Sequence, residues 1–283
     1  MDATTLYTAG FGVGTTLVLL VLLRIVQRVV SPMHQLARTN SAWRLLQVGH
    51  VFAVFLLAAA VVKHGVTGED LVADLTVAAA YGALGLLVVQ LAGAISTRTL
   101  FRAQLRAELD RGNAAAGLAA GAHYVAIGVL ASRAVVGGDL ADIGLALVFF
   151  VIAMITHAAF VALYRLLTTY DDAEQIHGEN TAAAISYAGI TVAVAILIAR
   201  ALTGEGEFTG WPGALMGFGG VSLFALGLYP VRQLVVQWLM LGARPSLRGG
   251  AIDEAVAADH DTALAALEAT TYLATAMSIA VLA

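Results

Sequence analysis

Eight apolar runs of about 20 residues, set at nearly even intervals, constrain this chain more than any other feature, because a helix of that length crosses ~30 Å of hydrocarbon. They lie at 6–27, 43–63, 72–96, 114–134, 140–164, 182–202, 211–233 and 262–283. Composition agrees. Hydrophobic residues fill 60% of the 283 positions and charged residues 12%, where a soluble domain carries about 25% charge. Such a chain cannot cover a water-facing surface, so lipid is the solvent for much of it. The even spacing leaves no room for a separate soluble domain. The expected fold is an all-α polytopic membrane protein, about eight transmembrane helices in a single transmembrane domain over 1–283. The absence of cysteine excludes disulfides, thiolate metal sites and cysteine nucleophiles. No cleavable signal peptide is expected, since no basic region precedes Leu6 and no small-residue cleavage site follows the first run.

The connections are of two kinds. Three are short, Gly-rich and acidic, such as Gly65–Asp70 and Gly204–Glu207; four are longer and hold most of the arginines. Of 15 Lys plus Arg, twelve (Arg24, Arg28, Arg38, Arg44, Arg98, Arg102, Arg106, Arg111, Arg165, Arg232, Arg244 and Arg248) lie in or beside the longer connections, leaving Lys63, Arg133 and Arg200 opposite. Basic residues stay on the cytoplasmic side. The expected topology therefore has cytoplasmic long connections and both termini outside. Thr99–Arg106 interleaves Leu and Phe with arginines, which suits either a short amphipathic helix at the headgroups or a continuation of the third helix.

The chain repeats itself. Asn40, Asn113, Asn180 and Asp261 each open an even-numbered helix, and in the last three units small residues recur four and eight positions later: Gly117 and Gly121, Ala184 and Ala188, Ala265 and Ala269. Arg24, Arg98 and Arg165 precede their Asn by 16, 15 and 15 residues, and Arg232 is the equivalent in the fourth unit, with an insertion around 242–254. Arg133 and Arg200 each fall 20 residues after their Asn, with Lys63 near the same place. Four hairpin units follow, at approximately 1–63, 64–134, 135–202 and 203–283. Each offset has a physical meaning. Asn and Asp cap helix N-termini, small residues four apart let a neighbouring backbone approach, and the arginines snorkel to headgroups.

The starts Gly112-Asn113-Ala114-Ala115-Ala116 and Glu179-Asn180-Thr181-Ala182-Ala183-Ala184, each leading into a small-residue helix, resemble the bacterial membrane family of domain of unknown function 350, with its YjfL-like members. Members of that family carry the hairpin twice, so this chain is similar to a doubled version. The first unit departs from the pattern with Trp43 and Arg44, the fourth with Asp261. The resemblance implies an all-helical fold in the bacterial plasma membrane and carries no settled activity.

Ionisable residues inside a membrane default to functional hypotheses. His50 and His123 both fall ten positions after their Asn, about 15 Å deep, and His157 lies at similar depth. They fit hydrogen bonding to a neighbouring helix, a proton relay or ion path, or haem or metal ligation. Glu268, seven positions past Asp261, is expected to pair with Arg232. Asp74 and Asp142, near the outer ends of helices 3 and 5, are expected to pair with Lys63 and Arg133 at the headgroups. Glycine clusters at Gly10, Gly12 and Gly14 and at Gly217, Gly219 and Gly220 read as close-packing faces, and Pro230 as a kink or break.

Two functional readings stand: a transporter or channel-like protein for a small solute or ion, and a non-transporting membrane scaffold working with envelope partners. A haem-carrying electron-transfer protein is third. An enzyme is not expected, because no Gly-x-Ser-x-Gly setting or Gly-x-x-x-x-Gly-Lys loop occurs. Neither a cofactor nor nucleic acid is expected; the partners are the bilayer and, left open, a second copy.

Overall fold

A computed structural model describes residues 3–30, 39–102, 104–134, 143–203 and 210–282. Asp142 lies outside the described residues. Among those described there is no strand, and eight helices are long and apolar enough to cross a membrane. They are α1 (Ala3–Val30), α2 (Ser41–Gly65), α3 (Leu71–Leu100), α5 (Ala114–Ala134), α6 (Ile143–Leu167), α8 (Thr181–Ala201), a composite span from α9 (Gly210–Ser222) to Met240, and α12 (Thr262–Leu282).

Three of the longer connections contain a short helix: α4 (Leu105–Asp110), α7 (Asp172–His177) and α11 (Ala251–Ala257). α3 therefore stops at Leu100 and does not run on into water. The break falls at Arg102, whose φ of 48° turns the chain, and α4 begins three residues later. Asn40, Asn113, Asn180 and Asp261 all cap the helix they precede: the side-chain oxygens accept from Trp43 N, Ala116 N, Ala183 N and Leu264 N.

The capping asparagines have a second role. The side-chain amide of Asn40 donates to Leu109 O (2.6 Å), that of Asn113 to Ile176 O (2.8 Å) and that of Asn180 to Val256 O (2.8 Å). Each bond runs from the start of one even-numbered span to the short helix of the next hairpin. Three hairpin-to-hairpin junctions are thus clasped by the same chemistry. Asp261, with no amide hydrogens, cannot donate such a bond.

These clasps align four spans, α2, α5, α8 and α12, in a parallel row, each packed on the next. Small residues make the approach close. Gly117 abuts the Ala42 backbone, Gly121 meets both Leu45 and Gly49, and Gly128 meets Ala53, with residue numbers rising together along both helices. Further along, Gly189 packs on Ala269. The spans α3, α6 and α9 lie against the seams of the row. α5 and α8, in the middle, are the most enclosed helices and α1 the least. Gly10, Gly12, Gly14, Gly219 and Gly220 do not serve close packing: no described atom lies within 4 Å of where their Cβ would stand.

The seventh span is discontinuous and longer than its apolar run. After α9 it tightens to a 3₁₀ turn at Leu223–Gly227, resumes as α10 (Leu228–Arg232) and widens to a π-helix at Gln233–Met240. Pro230 lacks an N–H and crowds the preceding turn, which accounts for the break. The freed backbone is served by α6, whose Tyr164 hydroxyl donates to Ala225 O and accepts from Tyr229 N (3.2 Å). The π-helix turns Gln233 and Gln237 toward the following loop, where they bond Ser246 N (3.0 Å) and Arg244 O (2.8 Å). That loop is the insertion around 242–254.

Candidate functional site: polar clusters in the seams

The five intramembrane candidates do not form one site; they fall into three clusters. In the first, His50 of α2 places Nδ1 3.0 Å from Leu46 O, and its ring stacks on Tyr124 of α5 at 3.8 Å. A carbonyl only accepts, so Nδ1 carries the proton there. Gln90 of α3 stands beside the same imidazole.

The second cluster sits one seam further along, between α5, α6 and α8. His123 and His157 meet edge to face with ring centroids 6.4 Å apart. His157 Nε2 donates to Thr191 O (2.9 Å), and His123 Nε2 shares a hydrogen bond with the Tyr187 hydroxyl (2.6 Å). All four residues are buried. Two polar atoms in this cluster, His123 Nδ1 and Thr191 Oγ1, have no hydrogen-bond partner among the described residues. Buried polar atoms are nearly always satisfied, so this pair marks a place built for a proton, a water or an ion.

The third cluster is ionic. Arg232, at the end of α10, is fully buried, and its guanidinium pairs with Glu268 of α12 and Asp253 of α11 while lying 5.5 Å from the Tyr229 ring. Asp253 also accepts from Thr169 N (2.6 Å) and Oγ1 (3.2 Å). Tyr164 bridges toward this group, its ring 6.1 Å from that of Tyr272, one turn beyond Glu268. Tyr164 is also seven residues past His157 on α6, about 10 Å along the axis. Clusters two and three are thereby linked by the tyrosines of one packed interior.

Most of the residues missing from the sequence reading occupy repeat positions that could have exposed them. Gln90 precedes Arg98 by eight residues, as His157 precedes Arg165. Asp172 and Asp253 each precede their cap residue by eight. Tyr124 and Tyr187 leave no such trace, because their partners come from a neighbouring unit.

At the short-connection face the expected pairing of Asp74 with Lys63 or Arg133 is not what the carboxylate does. Its oxygens accept from Thr67 N (2.9 Å), Thr67 Oγ1 (3.1 Å), Gly68 N (2.9 Å) and the Tyr7 hydroxyl (3.0 Å), which folds the α2–α3 turn and ties it to α1. A buried carboxylate beside backbone N–H groups takes those nearer donors. Lys63 and Arg133 are exposed and flank His64, and Arg200 bonds Thr203.

At the opposite face the short helices carry a network of charge. Arg111 pairs with Glu108 and Glu179, His177 with Glu108 (3.0 Å), Arg102 with Asp171 (2.8 Å) and Arg165 with Asp172 (3.1 Å). Burial opposes the Glu108 charge, but hydrogen bonds from Arg111, Asn113 and His177 hold its carboxyl below the usual range. Asp172 goes the other way: burial outweighs the Arg165 guanidinium and pushes it up to about 6. An unfolded aspartate titrates near about 4. The folded chain thus binds more protons than the unfolded chain between those values, and the contribution of Asp172 to stability falls as pH rises from about 4 to 6. Asp172→Asn should flatten that part of the stability–pH curve; an unchanged slope in unfolding titrations at several pH values would refute the assignment.

The fold and its seams define a class: an all-α, multi-pass membrane protein assembled from internally repeated hairpins. Within that class the chain belongs to the family described as Domain of Unknown Function (DUF350), whose model matches residues 1–135 and again 139–282. The family unit is therefore two hairpins, present twice, where the sequence reading counted four units. No curated protein and no solved structure matches the chain.

Proposed function

We propose that this protein moves protons or a small cation across the bacterial plasma membrane, a narrowing of the transporter or channel-like reading. The observation that carries the proposal is the His123–His157 cluster, where His123 Nδ1 and Thr191 Oγ1 are buried without partners. An imidazole with one free nitrogen can pick up and release a proton near neutral pH. Support also comes from the seventh span. Discontinuous helices line transport sites, and this break is bridged by Tyr164, between the histidines and the Arg232 cluster. The excess of arginine on the longer connections supports the topology with those connections in the cytoplasm and both termini outside.

Reconstitution into liposomes with an entrapped pH dye tests this directly. A potassium diffusion potential should drive a proton or cation leak through the parent protein, reduced at least about tenfold by His123→Gln, as expected when the only titrating group at a site is made neutral. The more distant substitution His50→Gln should have a smaller effect. An impermeable parent protein would reject transport and favour the scaffold reading, in which the charged face of α4, α7 and α11 docks envelope partners.

A further inference from the structure

Along the row, the positions nine, 13 and 17 residues past each cap residue always face the next span. In α2 these are Gly49, Ala53 and Leu57, and in α8 they are Gly189, Ala193 and Leu197; all are buried, as are their counterparts in α5. In α12 the same positions are Thr270, Ala274 and Ser278, and all three are exposed. With Ala266 they form a run of small side chains four residues apart on one face. The interface used three times inside the chain is thus open at its fourth occurrence.

We infer that a second copy of this chain covers that face, α12 against α12, around a two-fold axis along the membrane normal. Such an axis makes the two helices parallel, as in every internal seam, and presents the same patch from both sides. Small residues at four-residue spacing let the two backbones approach, and the Thr270 and Ser278 hydroxyls can bond across.

The alternative, head-to-tail growth, is blocked at the other end of the molecule. A span that docks on its predecessor needs small residues four, eight and 15 positions past its cap: Gly117, Gly121 and Gly128 in α5. At those positions α2 carries Arg44, Val48 and Phe55. A Cβ at Gly121 would already lie 2.6 Å from Leu45 O, so the larger Val48 cannot be seated on α12 in that way. Asp261 agrees, since it lacks the amide that clasps the short helix of a following unit.

Because the chain contains no cysteine, single substitutions report contacts cleanly. In lipid vesicles, full-length Thr270→Cys and Ala274→Cys should oxidise to a species of twice the chain mass, while Leu87→Cys on exposed α3 should stay monomeric. Mixed Thr270→Cys and Val48→Cys chains should give no mixed dimer. A mixed dimer would establish head-to-tail assembly and overturn the inference. So would cross-linking at 270 no greater than at 87, which would leave the face to lipid or to another protein. Independently, Thr270→Ile with Ala274→Ile should weaken self-association at least about tenfold in a dilution series read by energy transfer, the scale of one lost interhelical packing contact. Unchanged association would count against the α12 interface. These readings do not depend on transport, so the inference stands or falls apart from the proposed function.

Discussion

Replacing Arg232 with methionine should destabilise the protein by about 3–5 kcal/mol, the cost of removing one partner from a buried ion pair. The guanidinium is fully buried and faces two carboxylates, Asp253 and Glu268, each 1% exposed. Without it, both acids must take up protons or remain charged in a medium that solvates them poorly. The loss should appear as a lower midpoint in unfolding titrations from mixed micelles. Lysine should recover only part of it, because an ammonium cannot serve two carboxylates with a planar fork. The triple change Arg232→Met, Asp253→Asn and Glu268→Gln should restore most of the stability, since it removes the charges together. If Arg232→Met alone left the midpoint unchanged, the cluster would have no energetic hold on α10, α11 and α12.

Gly121→Val should be nearly as damaging, at about 3 kcal/mol, the upper end for overpacked sites. Its neighbours across the seam are backbone atoms of Leu45 and Gly49, not flexible side-chain ends. To admit a branched side chain, α2 and α5 must separate, and the Asn40 clasp to Leu109 would stretch with them. Gly12→Val provides the control. Nothing described lies within 4 Å of that Cβ position, so this change should be within about 0.5 kcal/mol of neutral, as for ordinary surface substitutions. Equal effects at the two glycines would refute the close-packed row.

The two glycines show how far sequence alone carries. Gly12 and Gly121 sit in similar apolar, glycine-spaced contexts, and the chain offers no local signal that one packs against a backbone and the other faces open space. Periodicity can place a residue on a helix face, but which face meets a neighbour depends on how the spans are ordered. Asp74 makes the same point. Its chemistry required donors, and sequence proximity suggested Lys63; folding of the turn brought two backbone N–H groups and Tyr7 closer.

The histidines divide along the same line. Their depth was legible from the ten-residue offset past each asparagine. Their separation into different clusters was not, because each cluster draws its members from two adjoining hairpins. His50 meets Tyr124, and His123 meets His157 and Tyr187, across 34–74 residues of chain.

By itself the sequence determined the solvent, the number of spans, the helix starts and the repeated unit. Those follow from hydrocarbon thickness, side-chain polarity and cap chemistry, which act locally. Only the tertiary structure decided the order of the row, the Asn-to-carbonyl clasps between hairpins, the unpartnered atoms around His123 and the open face of α12. Each depends on contacts between segments distant in sequence, where close packing rather than composition selects the partner.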